Sequence, residues 1–142
     1  MIINELTDAL SIALDRQFNG CRVYTPEVEQ DLREPCFMIA LAGAEKQPLL
    51  GARANLIYNF DIIYFPASKA HTEMLSIAGK MPAALNRITM LDGTQANGWR
   101  QNYEVADDVL HYFVTYQLTV IGQDGDSDMM EQYVLNGKAK EA

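Results

Sequence analysis

Two histidines, two cysteines and eleven basic side chains in 142 residues are a thin supply of the groups most used for catalysis, metal binding and nucleic-acid contact. Cys21 and Cys36 are too few for a disulfide framework, and a reducing compartment is the simpler expectation. No stretch approaches the roughly 18 consecutive apolar residues of a membrane span, and the opening "MIINELTDALSIALDRQF" is interrupted by acids. That opening also lacks the basic n-region of a secretory signal, which predicts a protein that stays in the cytosol. The eleven basic residues face nineteen acidic ones, a net charge of −8. Such a field repels phosphate backbones, so neither DNA nor RNA is an expected ligand. Low-complexity tracts are absent, and a length of 142 residues suits one domain with a real core.

What is present is periodicity. Ile3, Leu6, Leu10, Ala13, Leu14 and Phe18 recur at three- and four-residue steps, the signature of an amphipathic helix that Asn19-Gly20 ends. "CRVYT" reads as a short strand, and Pro26 to Pro35 bound a loop dense in charge. "CFMIALA" is short and uniformly apolar, which predicts a central strand buried on both faces; "GAEKQPLLGA" reads as a loop. In "RANLIYNFDIIYFP" the residues Ala54, Leu56, Tyr58, Phe60, Ile62 and Tyr64 take one phase, with Arg53, Asn55, Asn59 and Asp61 on the other. Ile57 and Ile63 interrupt that polar phase, so the second face is expected to be covered in part.

Ser68 is placed to cap a second helix whose inner face is Met74, Leu75, Ile77, Ala78, Met81 and Leu85, with a kink expected near Pro82. "ITML" predicts another strand and "DGTQANG" a loop. "WRQNYEVADDVLHYFVTYQLTVIG" predicts a long hairpin with Asp107 and Asp108 at its tip, and Leu110, Tyr112, Val114, Tyr116, Leu118 and Val120 on one face. The fold class is therefore α+β: a mostly antiparallel sheet with two main helices packed on one face. Residues 1–121 form the expected single domain. Residues 122–142 form an acidic and polar extension with room for a short helix around "MMEQYVL" and a frayed end.

Chemistry is sparse. His111 could act as a general base oriented by Asp107 or Asp108, but an exposed strand histidine beside a hairpin tip is the ordinary reading. His71 lies early in the second helix. No further ligands stand at metal-binding spacing, and buried cysteine in a strand is far commoner than a nucleophile. "DGDSDMMEQYVL" opens like a calcium loop yet has Met129 and Leu135 where glycine and glutamate are required. The aromatics Tyr58, Phe60, Tyr64, Trp99, Tyr103, Tyr112, Phe113 and Tyr116 lack the interleaved basic residues that stacking on nucleic acid would need. Sheet packing accounts for most of them, with Trp99 at an interface. The expectation is a binding or assembly protein with no catalytic residue, metal or cofactor.

Three segments, "VYTPEVEQDLREPCFMIAL", "LLGARANLIYNFDIIYFP" and "YEVADDVLHYFVTYQLTV", together with "INELTDALSIALDRQF", resemble the small phage and prophage tail terminator (tail-completion) proteins over residues 2 to 121. The resemblance implies an α+β fold and a structural role. It implies a ring, usually hexameric, on the head-proximal end of the tail tube, which stops tube polymerisation and offers the surface where the head docks. The implied partners are copies of itself, the tail tube protein and the head–tail connector. The implied places are the bacterial host cytoplasm during assembly and then the virion tail. Two alternatives stay open: another head–tail connector or neck protein, and a small α+β enzyme using His111. Gly79, Pro82 and the extension after Ile121 depart from the family pattern. Complementary charges steer docking and fix register, so Glu27, Glu29, Asp31, Arg33 and Glu34 are candidate ring or tube contacts. The loop with Glu45 and Lys46, and Trp99, join them. A merely solvated connection is the ordinary reading of the charged loop.

Overall fold

The computed structural model describes residues 2–26, 32–68 and 70–121. Helix α1, Ile2–Gln17, buries Ile2, Leu6, Ala9, Leu10 and Leu14, a stripe at helical spacing. The N–H of Phe18 still donates to the Leu14 carbonyl at 2.8 Å, and Gly20, at φ 96°, then turns the chain away. Strands β1 (Arg22–Tyr24), β2 (Cys36–Pro48) and β3 (Arg53–Phe65) follow, then helix α2 (His71–Leu85) and strands β4 (Arg87–Thr89), β5 (Gln95–Ala106) and β6 (Val109–Ile121).

The six strands form one sheet in the order β1-β2-β3-β6-β5-β4. Every pairing is antiparallel except β1 with β2. The fold is α+β, as the periodicity predicts. Along β3 and β6 the burial alternates in the expected phase, from Ala54 to Tyr64 and from Leu110 to Val120. Cross-strand partners such as Leu56 with Leu118, Tyr58 with Tyr116 and Phe60 with Val114 form this layer. The buried stripes of both helices join it in a single core cluster, so the helices share one face of the sheet. Phe18, Phe37 and Tyr64 run on as tilted ring pairs 5.1 and 5.0 Å apart.

Five sequence expectations are corrected. "CFMIALA" is the first half of a longer strand, and only Cys36–Met38 lies between two neighbours, because β1 is three residues long. "GAEKQPLLGA" is mostly strand: β2 runs on to Pro48, paired with β3 down to Ala54. Its polar residues are tolerated there because this end of the hairpin stands in solvent. Likewise Gln95 to Gly98 of "DGTQANG" belong to β5, and the turn is confined to residues 91–94. The N-cap of α2 is Ala70, without a side-chain cap, rather than Ser68. Leu75, expected inside, is exposed, while Ala84 takes a core position. Helix α2 continues through Pro82 to Leu85.

Gly79 sits on the exposed side of α2, where an added Cβ meets nothing within 4 Å. Gly79→Ala should therefore raise stability by about 0.5–1 kcal/mol, because alanine loses less backbone entropy in a helix. A urea titration showing no gain in midpoint would refute this.

Candidate assembly surfaces

The face of the sheet opposite α1 and α2 holds the polar phase of β3 and β6. The Thr115 hydroxyl donates to Asn59 Oδ1 at 2.6 Å, and the Thr119 hydroxyl to Asn55 Oδ1 at 2.8 Å. His111 continues this ladder. Its Nδ1 lies 3.0 and 3.2 Å from the two carboxylate oxygens of Asp61, with the side chains 25% and 18% exposed. The histidine is therefore partnered across the sheet, not by Asp107 or Asp108. Those two form the β5–β6 turn at φ 54° and 64°. Open grooves of about 690, 400 and 340 Å³ follow α1, and none of the three includes His111 or Asp61. Among the described residues no three metal-ligating side chains gather. Burial raises the thiol pKa of both Cys21 and Cys36, with Glu73 adding to the first and Glu34 to the second. Protonated thiols are poor nucleophiles, which fits the core-packing reading.

A second cluster ties α2 to the sheet. The Glu73 carboxylate accepts hydrogen bonds from the Tyr64 hydroxyl (2.8 Å), the Ser68 hydroxyl (2.7 Å) and the backbone N–H groups of Ala67 (3.0 Å) and Ser68 (3.2 Å). The Ser68 bond is the largest of the influences that hold its pKa near 2, below the usual 4.5. A carboxyl whose pKa is lower in the folded state stabilises fully above its unfolded value and loses that contribution as pH falls. Glu73→Gln should therefore lower the melting temperature at pH 7, and the difference from wild type should shrink between pH 4.5 and 2. A pH-independent difference would show that the charge is not what matters.

The candidate contact residues are not brought together. Glu27, Glu29 and Asp31 lie outside the described residues. Arg33 and Glu34 are exposed just before β2. Glu45 and Lys46 are exposed on β2 itself, with Glu45 accepting from the Gln47 amide at 3.1 Å. Trp99 is 52% exposed, three strand spacings away on β5, in the irregularity between Gly98 and Arg100. The Arg100 guanidinium stacks over its ring at 4.8 Å. Sequence reading missed Arg100 and the Glu73 cluster: Arg100 takes its meaning from where β4 ends, and Glu73 from how the chain between β3 and α2 folds back over its carboxylate.

The two flanks of this sheet are unlike: β1 and the β2–β3 hairpin on one side, β4 and the arm of β5 on the other. One solved structure, 9% identical, aligns over 88% of this chain and 96% of its own with a TM-score of 0.48, too low to support any inference. Among curated proteins nothing matches. The family model described as phage tail terminator protein matches residues 5–128, most of the chain. On that match the chain belongs to the phage tail terminator family, and its role is a structural one in the phage tail.

Proposed function

We propose that this chain is the terminator itself: a non-enzymatic subunit that forms a ring, hexameric by family resemblance, on the head-proximal end of the tail tube. The ring ends tube polymerisation and presents the surface to which the head connector docks. Subunits are made and assembled in the host cytoplasm and end in the virion tail. The observation that carries this reading is the family match over residues 5–128. The geometry is compatible with it, because a cyclic ring uses head-to-tail contacts between two dissimilar flanks. The charged segment with Glu27, Glu29, Asp31, Arg33 and Glu34, and the exposed Glu45, Lys46 and Trp99, supply the contacts. Native mass spectrometry over a concentration series, with and without purified tail tubes, tests the proposal. A closed ring, free or on tube ends seen by negative stain, supports it. A monomer that leaves tube ends bare and tubes still growing overturns it.

A further inference from the structure

The sheet has two long backbone edges with no partner strand among the described residues. β1 covers β2 only at Cys36–Met38, leaving Ile39–Pro48 open. β4 covers β5 only at Gln95–Asn97, leaving Trp99–Ala106 open. Open edges of this length are templates for another strand. Both carry exposed large apolar side chains: Leu41 on the β2 edge, Trp99 and Tyr103 on the β5 edge.

We propose that the ring contact, on the reading of a terminator ring, is a sheet continuation in which the β5 edge of one copy pairs with the β2 edge of the next. Direction permits it. The four long strands β2-β3-β6-β5 alternate up and down, so β5 and β2 run oppositely, and a neighbour in the same orientation meets β5 with an antiparallel partner.

Register follows from the two short strands. β1 caps the beginning of β2 and β4 the beginning of β5, and because those strands are opposed the caps sit at opposite ends of the sheet. Placed flush, Gly43 is level with Arg100, through Asn59 and Thr115, and the caps obstruct the rest. A slide of two residues, about 7 Å, brings the open segments alongside each other. With the bulge between Leu41 and Gly43 counted, Ile39 then faces Val105, Leu41 faces Tyr103, Ala44 faces Gln101 and Glu45 faces Arg100. The exposed leucine meets the exposed tyrosine, and opposite charges meet on the face opposite α1 and α2. A further slide of four residues would set Glu45 against Glu104, so charge selects the register. A stagger between successive copies is also what a closing sheet requires.

The test is a charge swap read by native mass spectrometry. Glu45→Arg and Arg100→Glu should each raise the concentration needed for ring assembly by about tenfold or more. The double variant, and an equimolar mixture of the two single variants, should restore it, which also shows that the variants fold. Rings indifferent to both single changes, or not rescued by either combination, overturn the edge contact while leaving the terminator reading intact. Wild type that forms no ring even on tube ends overturns that reading, and the edge contact with it.

Discussion

Gly98→Ala is expected to destabilise the chain by about 3 kcal/mol, at the upper end of what overpacking usually costs. An added Cβ would stand 2.7 Å from the Leu85 carbonyl oxygen, 2.9 Å from Val114 Cγ2 and 3.3 Å from the Gln101 amide nitrogen. The first of these is backbone and already accepts the Tyr116 hydroxyl at 2.7 Å. The second belongs to a buried strand residue. Relief by tilting α2 away is opposed by the Gly98 N–H bond to the Asn86 carbonyl at 2.9 Å. Gln101 adds to that resistance, donating to Asn86 Oδ1 at 2.8 Å. The predicted loss in melting temperature is about 10 °C for a domain of this size. A shift of a degree or two would mean that the helix end yields easily, contrary to this bonding.

Tyr116→Ala should cost more, about 4 kcal/mol, as large aromatic truncations in cores do. Tyr116 is among the largest fully buried side chains, and its ring meets Phe60 edge-on with centroids 6.3 Å apart. Its hydroxyl bonds the last carbonyl of α2. Burial, followed by Tyr112, pushes the hydroxyl pKa far above its ordinary value, so the proton is present at any working pH. Tyr116→Phe keeps the ring and should cost only about 1–2 kcal/mol, the penalty of a buried acceptor left without its donor. Urea denaturation of both variants separates ring from hydroxyl. Equal losses would show that the hydrogen bond, and not the packing, secures α2 on the sheet.

What could be read from the sequence follows from how local each signal is. The stripe of α1, the alternation along β3 and β6 and the Asp107-Asp108 turn depend on neighbours two to four residues apart, and all were legible. The second half of β2 was not, because Glu45, Lys46 and Gln47 are strand residues only through pairing with Ile57, Leu56 and Asn55. Ser68 has the side chain of a cap and stands just before the apolar stripe of α2; its hydroxyl instead bonds the Glu73 carboxylate, which also gathers Tyr64 and Ala67. The partner of His111 was sought next to it in sequence, whereas Asp61 reaches it from fifty positions away across two paired strands. Arg100 drew no notice for a similar reason: its position matters because β4 ends at Thr89 and leaves the rest of β5 open.

The last described strand is also one of the two central ones. β6 fills the space between β3 and β5, and brings Leu110, Tyr112, Val114, Tyr116, Leu118 and Val120 into the core. Until it has left the ribosome, β3 has an open side and the layer beneath both helices lacks its middle row. Folding thus waits for synthesis to pass Ile121, and such non-local pairing is slow, on the order of milliseconds to seconds. A chain broken off inside β6 is then no shortened subunit but an unfinished sheet with apolar edges, fit for degradation. Translation itself becomes a quality check, admitting to assembly only chains read through to that strand.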